Sequence, residues 1–190
     1  MTTYSAVAAD FSKNPYGLVY DNAITENVAG KVNIHPVSYT VDGIRVAANV
    51  YTPAGYDPKK IQPPHRCCSP ERRRERTGCR SLCRETRRYG LHHCCSRCAL
   101  SGRSGGEPRH TDKPANRIED INGMVDYIRT YPGVNANEIG ALGICGGGGY
   151  TLGAAQKDPR IKAVATISMF NSGRVRRNGF QDSQMDTIQQ

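Results

Sequence analysis

Residues 141–150 read A-L-G-I-C-G-G-G-G-Y, and the prediction of the fold starts from this segment. The apolar run 139–145 has the composition of a short buried strand, and a helix is expected over 150–157. Between the two, G-I-C-G-G has the G-x-S-x-G pattern of a sharp strand-to-helix turn, with cysteine in place of serine. The pattern therefore predicts that Cys145 lies on that turn and projects from the end of a sheet.

The residues around Cys145 suit a nucleophile. Small residues two positions away on either side let the backbone pass closely, and a helix N-terminus favours a thiolate. The backbone N–H of Gly146 is placed to donate to an oxyanion. Two other interpretations are a buried structural cysteine beside a glycine-rich turn and a phosphate-binding loop, although the Lys-Ser or Lys-Thr ending of such loops is absent.

The flanking sequence alternates helices and strands. Residues 37–53 alternate as two strands around Asp42-Gly43, a favoured hairpin pair. After Gly105 a helix is expected, which Asn116 would cap and whose apolar residues recur at helical spacing: Ile118, Ile121, Met124, Val125 and Ile128. Residues 163–169 have the composition of another buried strand. This order predicts an α/β fold with a parallel sheet.

The remaining segments carry weaker signals. Residues 1–31 show little periodicity and are expected to form an arm, and 171–190 are polar with no capping element. The side chain of His35 is expected on a strand surface, and those of Glu119 and Asp120 on the solvated face of their helix. The basic cluster Arg174, Arg176 and Arg177 follows a strand end, where substrate-facing loops occur, but a solvated loop is the preferred interpretation.

The segment 65–103 differs from the rest of the chain. It holds eleven arginines, three glutamates and seven of the eight cysteines, so it carries +8 of the net charge of +9. It has no helical or strand period, and such a composition favours disorder or poor packing. The net charge and cysteine content of the whole chain therefore describe neither this segment nor the remaining residues.

Two ligand hypotheses arise from this segment. Cysteine and histidine at short spacing are zinc ligands, but Cys79-x3-Cys83, His92-His93-Cys94-Cys95 and Cys98 fit no standard two-pair framework. Arginine runs contact nucleic-acid phosphates, yet without aromatic residues between them only weak, salt-sensitive binding follows. Neither a metal site nor specific nucleic-acid binding is predicted.

Three motifs together resemble the α/β-hydrolase family: the segment 141–150, D-K-P-A-N-R at 112–117 and S-M-F-N-S-G at 168–173. The resemblance is to the dienelactone-hydrolase-like branch, with X-prolyl dipeptidyl peptidases as more distant relatives. It covers roughly 28–64 and 104–190 and implies a doubly wound, mostly parallel sheet, incomplete in a single partial domain.

The resemblance implies an ester or lactone hydrolase with Cys145 as nucleophile and Gly146 as a backbone oxyanion donor. In this family an acid and then a histidine follow the nucleophile along the chain. All five histidines precede Cys145: His35, His65, His92, His93 and His110. The general base, the oxyanion loop and a C-terminal part are therefore expected to be missing, and the chain as written to be inactive.

A shifted reading frame accounts for the composition of 65–103. Arginine and cysteine codons read one base later encode Val, Ala, Gly, Asp and Glu. Suitable synonymous codons permit a strand I-V-V-A from position 65, a Gly-rich H-P-N-G-G loop, an amphipathic helix and a second strand. The hypothesis is that two frameshifts replaced a family segment with the Arg/Cys-rich one.

Two functions follow from the sequence. The first is an acyl hydrolase by descent that acts on a small-molecule substrate without a cofactor. The alternative is a non-catalytic fragment whose Cys/His/Arg-rich segment binds metal or anions weakly. No run of about 18 apolar residues and no secretory leader is apparent, so a cytoplasmic protein away from membranes is expected. The sequence does not define the oligomeric state.

Overall fold

The computed structural model describes residue 16 and residues 24–61, 65–68, 93–96, 99–100, 103–111 and 113–184. Its strands are β1 (Asn33–Val41), β2 (Ile44–Thr52), β3 (His65–Cys68), β4 (His93–Ser96), β5 (Ile139–Ile144) and β6 (Ile161–Ile167). Its helices are α1 (Pro114–Arg129), α2 (Gly146–Lys157) and α3 (Ser172–Asn178), followed by a 3-10 turn, Phe180–Asp182.

The six strands form one sheet in the order β1-β2-β4-β3-β5-β6. β2 runs antiparallel to β1 and β4, whereas β4, β3, β5 and β6 are mutually parallel. The predicted hairpin is confirmed, since Asp42 (φ 48°) and Gly43 (φ 75°) connect β1 to β2 in the left-handed conformation that such turns require. The predicted α/β class and mostly parallel sheet are confirmed.

The segment 65–103 contributes two short strands to the sheet, although its sequence has no strand period. β3 pairs in parallel with β5 over four residues, and β4 lies between β2 and β3. Backbone hydrogen bonds build both ladders and depend little on side-chain identity, so composition did not reveal them. β3 occupies the four positions at which the shifted frame has its strand I-V-V-A. The predicted disorder of residues 69–92 lies outside the described residues.

The hydrophobic core lies between α1 and the sheet. The predicted apolar face of α1 is buried through Ile121, Met124, Val125 and Ile128, against Val50 of β2 and Ala141 of β5 among others. The ring of Tyr39 on β1 stacks on that of Tyr127, with centroids 5.1 Å apart. α1 thereby fixes the central strands that lead to Cys145.

The start of α1 differs from the prediction. The N-cap is Lys113, whose side chain caps nothing, and Asn116 lies inside the first turn rather than at the cap. Pro114 occupies the first helical position, where its fixed φ suits a helix start and its missing N–H costs nothing. The helix therefore begins at the proline, two residues before the predicted cap.

Asp120 does not lie on a solvated face, and this corrects the expectation for it. Its side chain is 1% exposed and pairs at 3.0 Å with Arg117, which is 3% exposed. Asp120 Oδ2 also accepts from the N–H of Ala99 at 3.1 Å, and Arg117 donates to the carbonyls of Ala99 and Thr111. Glu119 is exposed as expected. The buried pair thus joins α1 to the segments before it.

The polar C-terminal segment contains a helix that the sequence did not indicate. Asn171 caps α3 by accepting from the N–H of Arg174 at 2.9 Å, and Arg174 pairs with Asp182. The three arginines therefore lie on a short helix rather than on a loop. β6 also ends two residues earlier than predicted, because Ser168 (φ 51°) leaves the extended conformation.

Candidate active site

Cys145 lies on the turn between β5 and α2, where its spacing predicts it. Its backbone has φ 55° and ψ −127°, a conformation that few residues other than glycine adopt. Such a residue carries strain of about 1–3 kcal/mol and persists only where its surroundings hold it. The side chain of Cys145 is exposed, so the turn presents the thiol to solvent at the carboxyl end of the sheet.

Close backbone packing holds this turn. A β-carbon at position 143 would lie 2.6 Å from the Cα of Gly148 and 2.8 Å from the Cβ of Thr151. A β-carbon at position 148 would lie 2.8 Å from the Cβ of Met169. Glycine at both positions is therefore required for β5, α2 and the segment after β6 to meet. The sequence pattern identified Gly143 but not Gly148.

Hydrogen bonds tie the turn to its neighbours. The N–H of Cys145 donates to the carbonyl of Ile167 on β6 at 2.8 Å, and the N–H of Gly148 donates to the carbonyl of Cys145 at 3.1 Å. The hydroxyl of Thr151 donates to the carbonyl of Gly147 at 2.9 Å. The main chain of Cys145 is thus fixed on both sides, while its thiol stays accessible.

The N–H of Gly146, at the first position of α2, has no acceptor among the described residues. A first-turn amide that points out of a helix end can stabilise an oxyanion. A β-carbon built on Gly146 would meet no described atom within 4 Å beyond its chain neighbours and its own helix backbone. The loop after β3, where the family has its second oxyanion donor, begins at residue 69 and lies outside the described residues.

Met169 and Phe170 form an apolar surface beside the turn that the sequence did not predict. They follow β6 directly and are 44% and 43% exposed. Both approach α2, since the side chain of Met169 faces Gly148 and the carbonyl of Phe170 faces Gly149. The motif S-M-F-N-S-G contains them, but only the packing against α2 shows that they lie next to Cys145.

The histidines at positions 35, 65 and 93 are not placed to serve Cys145. In the strand register His65 lies opposite Ile139 and His93 opposite Arg66, at the amino ends of the parallel strands and at the far edge from Cys145. His35 on β1 hydrogen-bonds Thr52 at 3.0 Å, and burial lowers the pKa of its imidazole. It is half-buried, less exposed than predicted.

The residues of the metal hypothesis are only partly described. The register sets Cys67 beside Cys94 and Cys68 beside Cys95 on adjacent strands, and the side chain of Cys94 is buried. Cys79, Cys83 and Cys98 lie outside the described residues. Within the part of the chain that the structure describes, no group of three potential ligands is assembled.

Comparisons with known proteins agree with this architecture. No protein-family model matches the chain. It is 45% identical over 85 residues to PA2218 of Pseudomonas aeruginosa, a stretch that is 45% of this chain and 23% of that protein. The crystal structure of PA2218 superposes with a TM-score of 0.74 at 29% identity, over 86% of this chain and 53% of that one.

Two further solved structures are similar. The α/β-hydrolase GrgF from a Penicillium species has a TM-score of 0.65 at 22% identity, over 82% of this chain and 54% of that one. A dienelactone-hydrolase-like promiscuous phosphotriesterase from metagenomic libraries has a TM-score of 0.59 at 17% identity, over 78% of this chain and 65% of that one. The chain thus spans about half the length of the first two structures.

The chain therefore has the α/β-hydrolase fold in incomplete form. The resemblance stated from the three motifs is confirmed at the level of the fold, which these solved structures share with the chain. Among the described residues, no helix combines the length and apolar composition that crossing a membrane requires.

Proposed function

We propose that Cys145 is the nucleophile of an acyl hydrolase that acts on a small-molecule ester or lactone. The observation that carries the proposal is the conformation of Cys145: a non-glycine residue at φ 55° is held between β5 and α2 with its thiol exposed. Backbone strain of this kind is retained where function requires the side chain at that point.

The residues present define the first half of the reaction. The sulfur of Cys145 attacks the carbonyl carbon, and the N–H of Gly146 donates to the oxyanion that forms. The attack forms the C–S bond. Collapse of this intermediate restores the carbonyl and breaks the C–O bond, so that the alcohol leaves with a proton from the thiol or from solvent. Water must then cleave the thioester, and this second step needs a general base.

Acylation of Cys145 tests the proposal directly. The chain is treated with p-nitrophenyl acetate, and acetylated cysteines are identified by peptide mass spectrometry, folded and in urea. Cys145 is expected to be acetylated faster than the other thiols in the folded chain only, because the turn exposes the sulfur next to the Gly146 N–H. Cys79→Ala, which removes a thiol outside the turn, is the matched control.

Equal acetylation of Cys145 and of the remaining thiols in the folded chain would refute the nucleophile assignment. That result would favour the alternative hypothesis, a non-catalytic chain. A rate of Cys145 acetylation that is the same in urea would also refute the nucleophile assignment, since the fold would then contribute nothing to the reactivity of the thiol.

The 190-residue polypeptide is further proposed to have no turnover above that of free thiols. By the strand register, the histidines at 65 and 93 lie at the amino-terminal ends of the parallel strands, whereas Cys145 follows the carboxyl end of β5. His35 hydrogen-bonds Thr52. A missing general base typically costs about 10²–10⁴-fold in rate, and a missing oxyanion donor about 10²–10³-fold. Multiple-turnover release of p-nitrophenol measures this. Turnover that Cys145→Ala abolishes and Cys79→Ala preserves would show that a base is present.

A further inference from the structure

Ser168 lies beside Cys145 in the register of the sheet. β5 and β6 are parallel, and their last pair is Ile144 and Ile167. The N–H of Cys145 donates to the carbonyl of Ile167 at 2.8 Å, so the ladder continues by one residue past the strand ends and sets Cys145 opposite Ser168. This pairing lies between β5 and β6 and does not involve the outer edge of β6.

Both residues of this pair hold a backbone conformation that most residues other than glycine disfavour. The angle φ is 55° at Cys145 and 51° at Ser168. Strained residues cluster at sites where a side chain is needed at one point, and the strain at Cys145 presents the proposed nucleophile. Two strained residues side by side therefore indicate that the Ser168 hydroxyl belongs to the same site as the thiol.

Packing fixes the main chain of Ser168 relative to Cys145. The residue before it, Ile167, accepts the hydrogen bond from Cys145. The residue after it, Met169, packs so closely on α2 that a β-carbon at position 148 would lie 2.8 Å from its Cβ. Neighbouring strands are about 4.8 Å apart, and paired residues carry their side chains on the same face. The hydroxyl oxygen and the sulfur are each two bonds from their Cα atoms, so a group bound to the sulfur comes within reach of the hydroxyl.

The position of Ser168 indicates which part of a substrate it meets. The carbonyl oxygen of the substrate is directed to the N–H of Gly146 at the start of α2. β3, which precedes the second oxyanion donor of the family, and β6 flank β5 on opposite sides. Once the alcohol has left, the acyl chain is the part of the substrate that stays bound to the sulfur. The β6 side, where Ser168 lies, is therefore the side available to the acyl chain.

From the register and the two strained residues we propose that Ser168 determines the acyl specificity of Cys145. Its hydroxyl donates a hydrogen bond to an oxygen on the carbon adjacent to the acyl carbonyl, an atom three bonds from the sulfur. Cys145 is therefore selective for hydroxyacyl, alkoxyacyl and ketoacyl groups over alkyl acyl groups of the same size. This inference rests on the proposed role of Cys145 as nucleophile.

Two esters of the same size test this selectivity. p-Nitrophenyl methoxyacetate has an ether oxygen at the position of one methylene group of p-nitrophenyl butyrate. The rate of Cys145 acylation by each ester is followed by peptide mass spectrometry and divided by the rate with N-acetylcysteine, which removes the difference in intrinsic reactivity. Ser168→Ala is expected to lower the normalised ratio of methoxyacetyl to butyryl transfer about fivefold, the effect of one neutral hydrogen bond. Thr166→Val, which removes a hydroxyl two residues earlier, is the matched control and is expected to leave the ratio unchanged.

The outcomes separate the role of Ser168 from the proposed function. If Cys145 of the unmodified chain reacts no faster than the other thiols with either ester, the nucleophile assignment fails and the role of Ser168 fails with it. If Cys145 reacts faster but Ser168→Ala leaves the ratio unchanged, the role of Ser168 alone is overturned. Ser168→Gly is the second variant, because glycine adopts a φ of 51° without strain, and it is expected to lower the ratio as much as Ser168→Ala. A ratio that Ser168→Gly preserves would show that the hydroxyl does not set the selectivity, and it would overturn the proposal.

Discussion

At the scale of single residues, a substitution of Gly143 tests the packing of the turn without changing the Cys145 thiol. A β-carbon there would meet Gly148 Cα at 2.6 Å and Thr151 Cβ at 2.8 Å, so the backbones of β5 and α2 would have to separate. We expect Gly143→Ala to lower the free energy of unfolding by about 1–3 kcal/mol, measured by urea titration.

Gly149 provides the matched control. It lies in α2, the helix against which Gly143 packs, and the nearest atom to its β-carbon would be the Phe170 carbonyl oxygen at 3.9 Å. Gly149→Ala is expected to leave stability unchanged or to raise it by up to about 1 kcal/mol, since alanine favours helix. If both substitutions cost the same, close packing at position 143 is not what requires glycine.

The carboxyl of Asp120 predicts a dependence of stability on pH. Burial raises its pKa from 3.8 to about 6, against the opposing effect of Arg117. Because the folded chain holds this proton more tightly than the unfolded chain, its contribution to stability is full below about pH 4 and is lost as the pH rises through 6. The loss is on the order of 3 kcal/mol.

Urea titrations at several pH values measure this contribution. Asp120→Asn is expected to remove the downward slope between pH 4 and 6, whereas Glu119→Gln, at the exposed neighbouring position, is expected to retain it. Carbon-13 NMR of the Asp120 carboxyl in the unmodified chain gives the titration midpoint independently. A midpoint near 4 would contradict the prediction.

At the scale of elements, the start of α1 can be improved. Lys113 occupies the N-cap without capping, and its positive charge lies at the positive end of the helix dipole. Lys113→Ser supplies an acceptor for the first-turn N–H groups, and we expect it to raise the free energy of unfolding by about 0.5–2 kcal/mol. Asn116→Ala, at the position that does not cap, is the control and is expected to change stability little. If Asn116→Ala lowers the free energy of unfolding by as much as Lys113→Ser raises it, Asn116 is the cap, as the sequence predicts.

Elements with local periodicity were predictable from the sequence. The β1–β2 hairpin, the buried face of α1 and the turn at Cys145 follow from spacing alone. The buried state of Asp120 was not predictable, because an isolated carboxylate on a helix is normally solvated and only the fold brings it to Ala99. Pro114 is the signal in the sequence for the start of α1, and it marks that start better than Asn116 does.

The candidate site was only partly predictable for the same reason. Cys145 and Gly146 lie within one motif, so the sequence located both. Met169 and Phe170 reach the turn through packing of the β6 end against α2, a contact between distant parts of the sequence. The second oxyanion donor of the family would fall within 69–92, and these residues lie outside the described part of the chain.

At the scale of the whole molecule, the amino-acid composition of β3 does not suit its central position in the sheet. It lies between β4 and β5 in the parallel part of the sheet, where strands are normally continuous apolar runs, yet it reads H-R-C-C. We expect replacement of 65–103 by the shifted-frame sequence, with I-V-V-A at β3, to raise the urea midpoint. A scrambled insert of the same composition is the control.

The outcome decides the frameshift hypothesis at the level of protein. A restored chain that is no more stable than the scrambled one would show that the shifted frame does not fit this fold. Resequencing the gene across codons 60–106 decides it at the level of DNA. The restored chain is still expected to lack turnover, because its histidines would also precede Cys145.

The contact between the Gly143 and Gly148 backbones places this turn under two kinds of selection. Both glycines stay constrained for as long as the domain folds, because any side chain there collides. Cys145 is constrained only while its thiol is used, and its φ of 55° is adopted more readily by glycine or asparagine. In a lineage released from turnover the motif thus decays in a fixed order, with the cysteine first and the glycines last. Descendants that keep both glycines and have lost the cysteine would record a domain whose fold outlived its chemistry.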